Sequence, residues 1–219
     1  MCNLYQTAKS ADLVAQLFRE PLRDLTGNEP WPEDVYPDRT APIIRHDDDG
    51  LAVARARWGM PTPPMYLKTA RDPGVTNIRN TSSPHWRRWL GPDHRCLVPV
   101  VRFSEPGADH KPVWFEPVDD RPMFFVGIQT QGWTSVRKVK DGETTDDLFG
   151  FLTCPPNAEV GAVHPKAMPV ILTEPDEWAA WLNLPWVQAR TLQRPLRDGT
   201  LLIVSQGRED TIADTEASG

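Results

Sequence analysis

The run Arg95-Cys96-Leu97-Val98-Pro99-Val100-Val101-Arg102-Phe103-Ser104-Glu105-Pro106 is strongly apolar through its centre. Cys96 to Phe103 reads as a buried strand with a proline near its start, and Ser104-Glu105-Pro106 ends it. A carboxylate placed directly after a buried strand is either a strand end in water or a group held at a site. The flanking elements are short. Cys2 to Gln6 is a strand candidate, and Ser10 can cap a helix that carries Leu13, Val14, Leu17 and Phe18 on one face. Glu29 to Arg39 reads as a surface loop. Ile43-Ile44, the Asp47-Asp48-Asp49-Gly50 turn and Leu51 to Trp58 read as a hairpin. Ser83-Pro84 supplies a cap and first-turn proline for a short helix through Leu90. Further strands are expected at Val113 to Phe115, Met123 to Ile128, Thr134 to Lys138, Leu148 to Thr153 and Leu201 to Val204. Thr173, Pro175 and Asp176 form a helix start before Trp178, Trp181 and Leu182. The sum is an α+β fold, a single domain with a mainly antiparallel or mixed, partly barrel-like sheet surrounded by short helices.

Composition sets the outer bounds. The 219 residues suffice for one domain with a substantial core, assigned to residues 1–208, with a polar, flexible tail at 209–219. Nine Trp and seven Phe argue for a packed globule, whereas 23 Pro argue for short elements and ordered loops. Three cysteines, Cys2, Cys96 and Cys154, make no paired disulfide framework and no secretory signal precedes them, so a reducing cytoplasm is expected; the chain is separately expected to be a monomer. No window is apolar enough to span a bilayer, which argues against a membrane role. A net charge of −6 conceals an uneven distribution. Lys68, Arg71, Arg79, Arg87, Arg88, Arg95 and Arg102 lie in a stretch interleaved with Trp86 and Trp89, a pattern that suits a polyanion as well as a solvated face. There is no CxxC pair or Gly-rich phosphate loop. Cys96 and Cys154 are better explained by packing than by metal, and no cofactor is expected.

The chemistry-bearing feature is Met1-Cys2. Trimming of Met1 leaves Cys2 with an α-amine and a thiol on adjacent carbons. Such an aminothiol condenses with an aldehyde to a Schiff base, and the sulfur then closes a five-membered thiazolidine. Attack needs a base to take the amine proton, a duty Glu105 could perform. An imidazole such as His164 could open a sugar ring as an acid, and Asn77 offers a donor and an acceptor without charge.

Four pieces taken in order resemble the SOS-response-associated peptidase family of abasic-site-processing proteins. They are Met1-Cys2, Asn77-x-Arg79, Arg95-Cys96-Leu97-Val98-Pro99 through Phe103-x-Glu105, and His164-x-Lys166-x-Met168-Pro169-Val170-Ile171-Leu172. Trp58-Gly59 and Phe151-Leu152-Thr153 add to the likeness, which extends from Cys2 to about Leu182. The resemblance implies that Cys2 forms a thiazolidine crosslink with the aldehyde of an abasic site in single-stranded DNA and so shields the lesion. Asn77 would position the amine or sugar, Glu105 would move protons, and His164 would act on the sugar oxygen. Arg79, Thr153 and Lys166 would contact DNA. Schiff-base lyase activity and autoproteolytic loss of Met1 are implied as well. The chain differs from the family pattern at Asn3-Leu4, where Gly-Arg is common, at Ile78 and Asn80-Thr81, at Met60-Pro61-Thr62-Pro63-Pro64, where tryptophans are usual, and at Arg102-Phe103-Ser104-Glu105-Pro106. Two other readings compete: a thiol peptidase or amidohydrolase using Cys2 with His164 and Glu105, and a noncatalytic nucleic-acid-binding relative.

Overall fold

The computed structural model describes residues 2–204, so the expected tail at 209–219 lies outside the described residues. The chain begins with β1 (Leu4–Gln6) and helix α1 (Ala11–Ala15), whose N-cap Ser10 accepts a hydrogen bond from the Leu13 N–H. That helix is one turn shorter than the apolar spacing suggests, and Leu13 is left exposed. Two-residue strands β2 (Arg23–Asp24) and β3 (Asp34–Val35) interrupt what reads as loop. The hairpin β4 (Thr40–Asp47) and β5 (Gly50–Trp58) follows as expected, its turn closed by the Asp47 carboxylate accepting from the Asp49 N–H at 3.0 Å. After β6 (Asn77–Ile78), the segment starting at Ser83-Pro84 is turns and a 3-10 stretch at Arg87–Trp89 rather than an α-helix.

The apolar run at residue 95 forms two strands, β7 (Arg95–Val100) and β8 (Arg102–Pro106), not one. At Val101 the chain changes sheet: its N–H donates to Gln6 O at 2.8 Å and its side chain is exposed. Strand β9 (Pro112–Pro117) and the long hairpin β10 (Met123–Val136) and β11 (Glu143–Cys154) come next. The separate strands expected at Met123 and Thr134 are one strand whose register shifts between Thr130 and Trp133. The remaining elements are α2 (Ala158–Val163), β12 (Met168–Pro169), β13 (Ile171–Leu172), α3 (Pro175–Asn183), α4 (Trp186–Ala189) and β14 (Leu201–Val204). The N-cap of α3 is Glu174, with Pro175 in the first turn and no side-chain capping bond, in place of the expected capping-box arrangement.

Strands β5, β4, β7, β10 and β11 form a ring. It closes through the parallel pairs Arg57↔Leu148 and Trp58↔Phe149, which remove the free edges of a five-strand sheet. A second sheet, ordered β14-β9-β8-β1-β3, packs against the ring through aromatic side chains. Tyr5 of β1 meets Trp58, Phe125 and Phe151 edge-on at 5.3, 5.5 and 6.2 Å, and Phe103 of β8 meets Phe125 at 5.8 Å. The run at 95–106 therefore belongs to both sheets and couples them. Among the described residues no helix is long and apolar enough to cross a membrane.

The basic stretch divides by burial. Arg95 is completely buried, donating to Leu90 O, Trp181 O and Leu184 O, and burial lowers its pKa to about 10. Arg102 pairs with Glu116 at 3.3 Å and with Gln6. Trp86 and Trp89 are core residues rather than surface stacking platforms. Only Lys68, Arg71, Arg79, Arg87 and Arg88 of the seven cations are exposed.

Candidate active site

Strand alternation explains why Glu105 is buried. It shares a face of β8 with Phe103, and Phe103 points into the aromatic layer between the sheets. Its carboxylate is thus drawn inward at the strand end, and the residue is 1% exposed. Burial raises its pKa, while the charge of the nearby His164 works in the opposite direction. Register brings Cys2 there: β1 runs antiparallel to β8 with Leu4 opposite Ser104, so the chain leading back from Leu4 passes the end of β8 that carries Glu105.

The Cys2 side chain is fully buried, and its thiol donates to Leu4 O at 3.5 Å. Burial, followed by the charge of Glu105, pushes the thiol pKa upward, with the backbone N–H groups of Leu4 and Ser104 partly offsetting the rise. Asn77 is held on β6, which pairs in parallel with β11 at Phe151. Its Nδ2 donates to Cys2 O at 3.1 Å and to Thr76 Oγ1 at 3.0 Å. A carbonyl can only accept, so this contact fixes the amide orientation. It leaves Asn77 Oδ1 as a buried acceptor with no hydrogen-bond partner among the described residues. His164 follows α2, and its Nδ1 donates to Ala167 O at 3.0 Å while lying 3.8 Å from Glu105 Oε2. The bond to Ala167 assigns the Nδ1 proton, so a neutral ring carries its lone pair on Nε2. Cys2, Asn77, Glu105 and His164, separated by up to 162 positions in sequence, thus form one cluster.

The three residues assigned to DNA sit alongside. Arg79 and Lys166 each stand two residues beyond a member of the cluster, Asn77 and His164. Both are exposed, and Arg79 Nη1 donates to Lys166 O at 3.1 Å and Cys154 O at 3.0 Å. Thr153 is 1% exposed, on the same face of β11 as Phe151, with a hydroxyl that has no partner among the described residues. A cleft of about 520 Å³, lined by Lys9, Val101, Arg102 and Arg121 among others, adjoins the opposite end of β8 and contains none of these residues.

Sequence reading assigns no role to Asp72, Arg137 or Gln193, yet all three hold the segments that carry the site. Arg137 is 2% exposed and donates to Gly59 O and, at 3.5 Å, to Asp72 O. Asp72 accepts from Thr62 and from the Gly74 N–H at 2.8 Å. Met60 and Val75 then exchange backbone hydrogen bonds of 2.9 and 2.7 Å, two residues before Asn77. The signal for this lock was the glycine pair. Gly74 has φ +77°, and a Cβ there would lie 2.3 Å from Arg137 Nη1 and 3.0 Å from the Gly59 Cα.

A closed five-strand barrel with a second sheet packed against it, and short helices around both, defines the class of fold. The family model for SOS response associated peptidase (SRAP) matches residues 1–205, and the chain belongs to that family, which connects it to the response to DNA damage. No curated protein matches the chain. Two X-ray structures share its fold. A protein from Bordetella bronchiseptica has a TM-score of 0.69 and 21% identity, over 94% of this chain and all of that one. A protein from Bacteroides thetaiotaomicron has a TM-score of 0.71 and 20% identity, over 93% of this chain and 92% of that one. At these identities the likeness concerns the fold alone.

Proposed function

We propose that the protein captures abasic sites in single-stranded DNA as a covalent thiazolidine through Cys2 once Met1 has been removed. The observation that carries this reading is the gathering of the buried Cys2 and the buried Glu105 at the paired ends of β1 and β8, with Asn77 Nδ2 donating to Cys2 O at 3.1 Å. The Cys2 nitrogen lies in a peptide bond while Met1 is attached, and becomes the α-amine when Met1 leaves. Glu105 is then beside the atom whose proton must be taken before attack.

Each step follows from the neighbours. Glu105 takes a proton from the ammonium form of the amine, and the neutral nitrogen adds to the sugar aldehyde carbon to give a carbinolamine. Protonation of the carbinolamine oxygen and loss of water leave an iminium. The Cys2 sulfur adds to the same carbon as its proton passes to a base, giving the thiazolidine with one water released overall. His164 is suited to proton transfer at the sugar ring oxygen, and the buried Asn77 Oδ1 to accepting a hydrogen bond from the amine or a sugar hydroxyl. The upward shift of the thiol pKa supports amine attack before sulfur attack, since little thiolate is present. The same shift gives less support to a peptidase reading, in which the thiolate would attack first.

The test is incubation of the Met-trimmed protein with an abasic single-stranded oligonucleotide and mass analysis of the N-terminal peptide. The expected product is a thiazolidine at Cys2, formed less readily as salt rises because phosphate contacts release counterions. Equal crosslinking by Cys2→Ala, or a DNA adduct on a different residue, would overturn the proposal.

A further inference from the structure

We infer that Gln193 is a positioning residue that sets the DNA-contacting side chains as one unit; this rests on the abasic-DNA reading above. Gln193 follows the 3-10 turn Arg190–Leu192 and is held there by its N–H bond to Arg190 O at 3.1 Å. Its side chain reaches across two elements far away in sequence. Nε2 donates to Arg79 O at 2.9 Å and to Thr153 O at 3.0 Å, while Oε1 accepts from Thr81 Oγ1 at 2.9 Å. Both amide hydrogens are thereby engaged, each on a carbonyl that can only accept.

The two anchored residues are Arg79, just after β6, and Thr153 on β11, the pair that the family resemblance assigns to DNA. Arg79 extends the tie, because its guanidinium holds the main chain at Lys166 and Cys154. One amide therefore fixes the spacing of Arg79 against Thr153, and through Arg79 the loop that presents Lys166 two residues after His164. Gln193 has no hydrogen bond to Cys2, Asn77, Glu105 or His164 among the described residues. Its influence is on where phosphates are held, not on the proton transfers.

Gln193→Glu isolates this role, because it keeps the shape and replaces two donors with acceptors facing two carbonyls. Crosslinking of an abasic single-stranded oligonucleotide is measured for wild type, Gln193→Glu, Arg79→Ala and the double variant as a function of DNA concentration. Reaction with glyoxylate, an aldehyde without a nucleic-acid backbone, is followed in parallel. For Gln193→Glu we expect the half-saturating DNA concentration to rise about tenfold, with the maximal rate and the glyoxylate rate unchanged. In the Arg79→Ala background the same change should add less than twofold, the non-additivity expected of groups acting as a unit. An unchanged half-saturating concentration in Gln193→Glu would overturn the inference, as would full multiplication of the two effects, or an equal fall in the glyoxylate rate. Wild type that fails to crosslink DNA would instead overturn the reading on which the inference rests, and the inference with it.

Discussion

Replacing Gly74 by alanine tests whether the Asp72–Arg137 lock supports the segment that delivers Asn77. Two costs are legible. The first is backbone conformation: φ is +77°, where an L side chain costs about 1–2 kcal/mol. The second is space, because the new methyl would stand 2.3 Å from Arg137 Nη1 and 3.0 Å from the Gly59 Cα, so either a buried guanidinium or the backbone of Gly59 must move. Moving Arg137 deprives Gly59 O and Asp72 O of a charged donor inside the protein, at roughly 1–3 kcal/mol for an unsatisfied buried group. The total is about 2–5 kcal/mol. Gly27 supplies the control, since its φ of +73° is nearly the same and nothing lies within 4 Å of its Cβ position. Urea unfolding of Gly74→Ala and Gly27→Ala should therefore separate the two costs, with Gly74→Ala the weaker by about 1–3 kcal/mol. Equal losses of stability would refute the argument that Arg137 is fixed in place.

Glu105→Gln should slow thiazolidine formation by about 10²-fold or more, since the amide cannot take the amine proton. Its stability should diverge from wild type with pH. Burial raises the Glu105 pKa, so the folded state holds more protons than the unfolded state between the ordinary carboxylate range and the raised value. Wild type should thus lose stability as pH rises through that window while the variant does not, and parallel denaturation curves at every pH would contradict the assignment. Arg95→Lys should destabilise by about 2–4 kcal/mol, because an ammonium cannot serve Leu90 O, Trp181 O and Leu184 O together. The salt dependence of DNA crosslinking should be unaltered in that variant, and a shallower slope would place Arg95 at the DNA after all. Cys2→Ser keeps the amine beside Glu105 but exchanges sulfur for a poorer nucleophile. A borohydride-reducible DNA adduct with no stable unreduced product is expected by mass analysis, whereas a stable unreduced crosslink would make the sulfur unnecessary.

Local chemistry was readable along the chain. The Asp47–Gly50 turn, the apolar strands and the capping serine at position 10 depend on neighbours a few residues away, and the hairpin β4/β5 follows from them. The candidate catalytic residues were singled out because their side-chain types match an aldehyde-trapping reaction and their order resembles a family. What the sequence could not supply was the break at Val101. An unbroken apolar run looks like one strand, and only pairing with β10 and β4 on one side and β1 and β9 on the other divides it between two sheets.

Burial was decided at the same level. Arg95 and Arg102 look like surface cations in the sequence, but the first caps carbonyls from a helix nearly 90 residues away and the second is neutralised by Glu116. By itself, then, the sequence determined which groups could react and where short strands and turns form, because periodicity and side-chain chemistry are local. The tertiary structure alone decided that the Glu105 carboxylate is out of water at the strand end facing Cys2, and that Gln193 ties Arg79 to Thr153. Desolvation and hydrogen bonding between distant segments exist only once the barrel and the second sheet have closed on each other.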